Sequence, residues 1–251
     1  MNDILIYTAI GVTFLLAGSV KGVIGMGLPT VSLGLLAATL DLTSAMALVI
    51  VPAFVTNVWQ GTSGGHGRMI IVRIWPFLLM AILTIGIGAL ALIHVNPSYL
   101  SILLGLLLII YSTLNLSGIR FSVPPEKEKW LGVLTGAING VLTGMTGSSV
   151  VPGVMYLQAL GLSRDQLVQA MGILFTSTTV ALAVALGKGR ILTLELAMIS
   201  AAAVIPALIG MRIGQQVRRS LSEERFRRVF FISVFALGIF IITKSVILFK
   251  T

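Results

Sequence analysis

Long apolar runs limit what this chain can fold into more than any other feature of its sequence. Residues 74–93, 165–186 and 229–243 reach or approach the roughly 20 residues that a helix needs to cross about 30 Å of hydrocarbon. With 57% hydrophobic residues and only 17 basic and 8 acidic side chains, the 251-residue chain cannot cover a water-facing surface. The runs are continuous rather than alternating, which disfavours a membrane β-barrel. The sequence therefore predicts an all-α, polytopic membrane protein.

Charge, proline, glycine and capping signals divide the chain into about ten membrane segments. The predicted segments are residues 4–20, 28–40, 43–61, 70–93, 97–117, 130–143, 149–161, 164–186, 191–211 and 222–248. The second and the seventh are too short to span alone. Capping patterns mark three helix starts, at Asn96 with Pro97, at Ser163 with Gln166 and at Ser220 with Glu223. The first segment follows an acidic residue rather than a basic region, which favours a retained helix over a signal peptide.

The two halves of the chain resemble each other. The sequence LAGSVKGVIGMGLPTVSLG (residues 16–34) recurs as LTGAINGVLTGMTGSSVVPG (residues 134–153), after the first helix of each half. A polar stretch lies between the halves. We therefore predict a first repeat at residues 1–117, a cytoplasmic linker at 118–129 and a second repeat at 130–251, all within one integral membrane domain.

Basic residues indicate how the segments cross the membrane. With ten crossings and an external N-terminus, most lysines and arginines fall in inner loops, including Lys21, Arg164 and the cluster at residues 212–228. Short segments that dipped in and returned on the same side would place these residues outside. Five crossings per half make the halves antiparallel, which is the inverted-repeat plan of many secondary transporters. We expect a multi-pass protein of the cytoplasmic (inner) membrane.

The short segments predict helix breaks near the midplane. Residues 21–28 and 144–152 are expected to form irregular backbone that leads to a short helix. Helix N-termini there would offer free amides and positive dipole ends to an anion, and glycines would let it approach closely. Under the alternative interpretation, the glycines only pack helices together.

The duplicated glycine motif, in a chain of this length with a polar central linker, resembles the TauE/SafE sulfite exporter family. The resemblance implies movement of sulfite, sulfonates, other organosulfur anions or sulfur-linked carboxylates across the cytoplasmic membrane. The matching positions are Gly22, Gly25, Gly27, Pro29, Gly140, Gly144, Gly147 and Pro152. The sequence departs from the glycine-rich pattern at Thr146, Ser148 and Ser149, whose hydroxyls could adapt the site to a particular substrate.

Polar groups at membrane depth are candidates for the anion site, because leaving them unpaired in hydrocarbon is costly. Lys21 could supply a fixed positive charge, or it could snorkel to the interface. Thr178 could instead bond to its own helix, and Ser148 and Ser149 could cap the seventh helix. The predicted substrate-binding residues are Lys21, Gly22, Gly25, Gly27, Asn57, Gln60, Asn139, Gly144, Thr146, Gly147, Ser148, Ser149 and Thr178.

Acidic residues inside the predicted segments are scarce. Glu195 is the only one and hence the candidate for proton coupling, although an interfacial ion pair with Lys188 or Arg190 is the favoured alternative. No His, Asp and Glu grouping has the spacing of metal ligands or of a catalytic cluster, so we expect no metal, no cofactor and no catalytic residue. The expected partners are a small anion and membrane lipids rather than nucleic acid, and the sequence is compatible with a homodimer.

These features together predict a secondary anion transporter rather than an enzyme. The expected activity is export of sulfite, a sulfonate or a related organosulfur anion. An anion that leaves a negative interior gains about 2.3 kcal/mol per charge per 100 mV, so export needs no coupling ion. The alternatives are an anion channel and a proton-coupled uptake carrier for a small sulfur-containing or carboxylate anion.

Overall fold

Helices make up the fold. The computed structural model describes residues 3–119, 121–217 and 223–250, and these ranges contain no strand. The helices are α1 (Asp3–Ile24), α2 (Leu28–Thr39), α3 (Leu42–Thr62), α4 (Gly67–His94), α5 (Pro97–Leu116), α6 (Glu128–Thr146), α7 (Met155–Ala159), α8 (Arg164–Lys188), α9 (Leu194–Ala202), α10 (Val204–Val217) and α11 (Glu223–Lys250). A 3-10 turn (Pro125–Lys127) precedes α6, and a π-helical turn (Val150–Val154) precedes α7. The prediction of an all-α protein is confirmed.

Seven helical stretches of the described chain are long and apolar enough to cross a membrane. They are Ile4–Ile24, Leu42–Thr62, Gly67–His94, Pro97–Leu116, Arg164–Lys188, Leu194–Val217 and Glu224–Ile247. Two apolar helices are shorter, Leu28–Thr39 and Val150–Ala159, as predicted for the second and seventh segments. A chain with this many apolar spans is a multi-pass membrane protein.

The chain divides into two compact units. Unit 1 comprises Met1–Pro52, Pro97–Ser117 and Thr193–Thr251, and unit 2 comprises Ala53–Asn96 and Gly118–Leu192. In unit 1, α1 packs along α10, and α11 packs along α5 and α2. In unit 2, α4 packs along α6 and α8. Each unit therefore combines helices from the N-terminal and the C-terminal halves of the chain.

Glycines bring α1 and α10 into backbone contact within unit 1. A Cβ atom on Gly18 or Gly22 would meet the carbonyl oxygen of Ala207 or Met211, respectively. Gly214 on α10 faces the α1 backbone in return. Small residues spaced four apart allow this close approach in membranes, where van der Waals packing holds helices together. Helix packing therefore accounts for these glycines.

The same kind of contact holds α4 against α6 in unit 2. Three glycines on successive turns of α6 face the α4 backbone. They are Gly136, Gly140 and Gly144, whose added Cβ atoms would meet the carbonyl oxygens of Phe77, Ala81 and Ile85. The Thr84 hydroxyl of α4 also lies 2.9 Å from the Ala137 carbonyl oxygen of α6, to which it donates. The interface is too close for any larger residue at the three glycine positions.

Side chains near the start of α6 fix the short α7 within unit 2. Arg73 of α4 donates twice to the Glu128 carboxylate, at 2.9 and 2.5 Å, and once to the Leu160 carbonyl oxygen at 2.9 Å. The Tyr156 hydroxyl donates to the Glu128 carbonyl oxygen at 2.8 Å, and its ring centroid lies 4.8 Å from that of Phe77. These contacts tie α4, α6 and α7 together at one end of the unit.

A lysine from α11 fixes the end of the other short helix, in unit 1. The Lys244 ammonium donates to the Ala38 carbonyl oxygen in the last turn of α2, at 2.7 Å. The final carbonyls of a helix lack partners within it, and a cation there also opposes the helix dipole favourably. Lys244 thus stabilises the C-terminus of α2, a role that the sequence did not indicate.

Helix boundaries follow some of the predicted signals and depart from others. The capping box of Ser163 and Gln166 is confirmed at the start of α8. The predicted ninth segment is interrupted at Ala203, between α9 and α10. Pro206 has no N–H to donate to the carbonyl four residues earlier, so one helical hydrogen bond is missing at the interruption. Ser220 of the last predicted box lies outside the described residues, as do Arg218 and Arg219 of the basic cluster.

The two helix breaks are shorter than predicted. Helix α1 continues through Lys21 to Ile24, and α6 continues through Gly144 to Thr146. The expectation of irregular backbone was therefore wrong for the first part of each range. Within the two predicted ranges, non-helical backbone is limited to residues 25–27 in unit 1 and to residues 147–149 and the extended Val151 in unit 2. The close glycine contacts with neighbouring helices explain why α1 and α6 persist this far.

Candidate functional site

The first copy of the repeated motif forms a three-residue break between α1 and α2, in unit 1. Gly25 and Gly27 have φ angles of 78° and 103°, a region in which a Cβ atom is strained. Helix α2 begins directly afterwards, with Pro29 in its first turn, where the missing N–H removes no helical hydrogen bond. The two glycines of the predicted site thus set the path of the backbone through the break.

Lys21 lies one turn before this break, in the last turn of α1. Only 4% of its surface is exposed, and it is the one buried charged side chain among the described residues. A snorkelling lysine would extend to the surface, so this burial disfavours the snorkelling interpretation. A buried ammonium needs compensating polar or anionic groups. Direct contact between Lys21 and the substrate stays a prediction.

The second copy of the motif forms the matching break in unit 2, after α6. Gly147 ends α6 with a φ of 75°. Ser148 and Ser149 follow, and both are buried. The Ser148 N–H donates to the Thr146 hydroxyl at 3.3 Å. Ser149 makes no capping hydrogen bond to the turn that follows it, so the capping alternative is not found for this residue.

A chain of hydroxyl groups joins this break to α8. The Ser149 hydroxyl lies 2.9 Å from that of Thr143 in α6 and donates to the Thr178 hydroxyl at 3.1 Å. Thr178 in turn donates to the Leu174 carbonyl oxygen of its own helix, at 3.0 Å. The Thr143 hydroxyl also lies 3.3 Å from the Ser148 carbonyl oxygen, to which it can donate. The three side chains form a fixed scaffold for the break, and binding of substrate by Ser149 or Thr178 stays a prediction.

Two buried polar groups beside the break lack a hydrogen-bond partner in the part of the chain that the structure describes. They are Asn139 Nδ2 and Ser148 Oγ. Asn139 is fully buried in α6, and its Oδ1 accepts the Gly153 N–H at 3.0 Å. Ser148 is 2% exposed. An unsatisfied buried donor costs about 1–3 kcal/mol, and both groups can donate to a ligand that carries acceptor oxygens.

Gly22 and Gly144 of the predicted site face neighbouring helices. Their added Cβ atoms would meet carbonyl oxygens of Met211 in unit 1 and Ile85 in unit 2. This geometry supports the helix-packing alternative at both positions. Contact between these two glycines and an anion stays a prediction.

Two glutamine side chains form hydrogen bonds that connect α3 to α8 in unit 2. Gln60 of α3 donates from Nε2 to the Val168 carbonyl oxygen of α8, at 2.6 Å. Gln169 of α8 donates from Nε2 to the Gly61 carbonyl oxygen of α3, at 3.0 Å. Gln169 also accepts the His66 N–H through Oε1 at 2.9 Å. The paired amides fix both the contact between the helices and the turn that follows α3.

These glutamine hydrogen bonds lie apart from the hydroxyl groups of Thr143, Ser149 and Thr178. Val168 precedes Thr178 by ten residues, which is about 15 Å along a helix. Gln60 is therefore not brought together with Ser149 and Thr178, and its role in binding stays a prediction, as does that of the fully buried Asn57. Sequence reasoning missed Gln169, because a polar residue near a helix start is usually a solvated one.

Glu195, the predicted proton-coupling candidate, is exposed in the first turn of α9. A carboxylate is favourable there because it faces the positive end of the helix dipole. Its participation in coupling stays a prediction. Within the described ranges, no group of three or more His, Cys, Asp and Glu residues could hold a metal ion.

The fold and the site define a multi-pass helical membrane protein whose short helices follow partly buried, glycine-containing breaks, a construction that many membrane transporters share. The chain matches the family described as Sulfite exporter TauE/SafE over residues 10–241, nearly its whole length. It belongs to this transporter family, and the resemblance noted from the sequence is confirmed. No curated protein and no solved structure matches the chain.

Proposed function

We propose that this protein is a secondary transporter that exports sulfite, a sulfonate or a related small organosulfur anion. Membership of the sulfite exporter family supports the chemical class of the substrate. The observation that carries the proposal is the pair of buried donors at the unit 2 break, Asn139 Nδ2 and Ser148 Oγ. Sulfite and sulfonate groups present several acceptor oxygens, which suits them to buried donors that lack a partner among the described residues.

The surroundings of these donors favour an anion over a cation. A cation site needs carboxylate or carbonyl ligands. The acidic residues in the ranges of unit 2 all lie in the linker or at a helix start, and they are Glu126, Glu128 and Asp165. Glu128 precedes Asn139 by 11 residues, or about 16 Å of helix, and is paired with Arg73. An anion at Asn139 would therefore lie well away from the Glu128 carboxylate along α6.

We further propose ten membrane segments in two inverted repeats, with α9 and α10 as one segment. Helix α6 has 19 residues and extends about 28 Å, close to the thickness of the hydrocarbon core. Reciprocal packing supports the repeat. The first helix of the N-terminal half packs on the fourth segment of the other half (α1 on α10), and α6 packs likewise on α4. In this topology the linker is cytoplasmic, the N-terminus is outside, and the membrane is the inner membrane.

The first test of the proposal is ligand-dependent stability of the purified protein in detergent. Sulfite or one sulfonate should raise the melting temperature in a saturable manner, as RT ln(1 + [L]/Kd) requires, whereas chloride should not. Replacing Ser148 with alanine should weaken binding of that anion about tenfold or more, because a hydrogen bond to a charged group contributes about 1.5–3 kcal/mol. The melting temperature is measured while sulfite, sulfate, thiosulfate, sulfoacetate or taurine is titrated, so that the affinities of these anions can be compared.

Ser112→Ala is the matched control. Ser112 is also a fully buried serine, but its hydroxyl already donates to the Leu108 carbonyl oxygen at 2.6 Å, in unit 1. This variant should keep the affinity of the parent. If no sulfur anion stabilises the parent, or if Ser148→Ala binds as tightly as the parent, the assignment of the site is wrong. For any anion that does bind, flux into liposomes is measured as a separate test: saturable flux indicates a carrier rather than an anion channel.

A further inference from the structure

A concavity of about 760 Å³ lies at the turn between α3 and α4, in unit 2. Its lining includes three basic side chains and two apolar ones, and they are His66, Arg68, Arg73, Met69 and Val72. Arg73 is already committed to Glu128 and to the backbone of Leu160. His66 and Arg68 are exposed. The concavity thus presents an exposed guanidinium and an imidazole beside apolar side chains.

Arg68 stands at the end of an exposed apolar stripe on α4. Val72, Trp75, Leu79 and Leu83 follow it at helical spacing, with exposed fractions of 66%, 53%, 45% and 61%. Exposed apolar side chains on a membrane-spanning helix face lipid. Trp75 lies two turns from Arg68, where tryptophan commonly occupies the membrane–water interface. The basic concavity is therefore continuous with a surface that suits an acyl chain.

The turn that carries these basic residues is fixed by its neighbours. Gly64 and Gly65 have φ angles of 113° and 76°, which give the chain a sharp turn after α3. The buried Gln169 side chain of α8 accepts the His66 N–H and holds the carbonyl of Gly61. Hydrogen bonds from a buried residue keep the turn in one conformation, so the concavity is preformed rather than made by a ligand.

We propose that this concavity binds the headgroup of an anionic phospholipid whose acyl chain lies along the stripe from Val72 to Leu83. The phosphate complements Arg68 and His66, and the apolar stripe favours a lipid over a free anion. The positive-inside rule accounts for a basic residue in an inner loop, but it does not account for the position of Arg68 at the end of a lipid-facing apolar stripe. The proposal concerns a site of its own and does not depend on the transported substrate.

Native mass spectrometry of the purified protein, with melting temperature as a second readout, tests the proposal. Phosphatidylglycerol should bind and stabilise the parent at low molar ratio, and phosphatidylcholine and inorganic phosphate should do so far less. Arg68→Ala should weaken phosphatidylglycerol binding about fivefold, the usual contribution of one cation near anionic lipid. Trp75→Ala should also weaken it, because the acyl chain would lose its aromatic contact.

Lys129→Ala is the matched control, since it removes one exposed positive charge from the first turn of α6. It should leave phosphatidylglycerol binding at the level of the parent. Without added lipid, Arg68→Ala should melt like the parent, because the side chain is exposed. The proposal is overturned if Arg68→Ala binds phosphatidylglycerol as the parent does, or if Lys129→Ala weakens it equally. Equal stabilisation by inorganic phosphate would also overturn it and would indicate a site for free anions.

Discussion

Gly140→Leu is expected to prevent α4 and α6 from packing and so to abolish the folded protein. A Cβ atom at Gly140 would meet the Ala81 carbonyl oxygen and the Thr84 hydroxyl of α4. The hydroxyl could rotate away, but the carbonyl belongs to the backbone of a helix. Overpacking usually costs about 1–3 kcal/mol, and here the helices must separate, so we expect about 3 kcal/mol or more. The yield of monodisperse protein and its melting temperature in detergent measure the effect.

Gly86→Leu is the matched control for this prediction. Gly86 also lies in α4, but an added Cβ atom there would have no other atom within 4 Å. Leucine favours a helix more than glycine does, by about 0.5–1 kcal/mol, so the control should melt at or slightly above the temperature of the parent. Gly140→Ala should lie between the two. A Gly140→Leu protein that melted like the parent would show that the two helices are not in backbone contact.

The repeated motif shows what sequence reasoning could and could not find. The spacing of its glycines was visible, but spacing alone does not tell a helix that packs closely from a backbone that bends. Gly22 and Gly144 face other helices, whereas Gly27 and Gly147 occupy positive φ at the breaks. The partner helices, α10 and α4, lie far from the motif along the chain, so no local pattern could reveal them. Long-range packing therefore decides the role of each glycine.

Helix lengths were predicted well where a polar or capping signal was present, as at Ser163 and Gln166. They were predicted less well where packing overrides local preference. Lys21 suggested the end of the first helix, yet α1 continues one further turn because Gly22 allows contact with Met211. The interruption before Pro206 was missed, because a proline in an apolar span need not break a membrane helix.

The candidate site was predicted in part from the cost of polar groups at membrane depth. That argument identified Asn139 and Ser148, whose donors lack a partner among the described residues. It did not identify Thr143, whose hydroxyl lies 2.9 Å from that of Ser149. A threonine inside a helix usually bonds to its own backbone, so nothing in its sequence context marks it as a support for the break. Supporting residues are set by three-dimensional neighbours, which a single sequence does not encode in a local pattern.

Asn139→Asp is expected to abolish anion transport while the Gly153 N–H keeps its acceptor. An aspartate oxygen can replace Oδ1, but the other oxygen replaces the Nδ2 donor and brings a negative charge. Two unit charges about 5 Å apart repel by about 3 kcal/mol at an effective dielectric constant near 20. Binding and flux of the anion should therefore fall more than a hundredfold. Sulfite uptake or release by proteoliposomes, together with ligand-dependent melting, measures the loss.

Asn115→Asp is the matched control, because it makes the same isosteric change in α5 of unit 1. There the Asn115 side chain only donates to the Tyr111 carbonyl oxygen of its own helix, at 2.9 Å. This variant should transport at nearly the rate of the parent. In the aligned motif sequences, Asn139 corresponds to the buried Lys21, so one copy of the motif carries a basic side chain and the other a neutral donor. Neither a lysine nor an asparagine amide donor suits a cationic substrate. A folded Asn139→Asp protein with the flux of the parent would show that the anion does not pass beside Asn139.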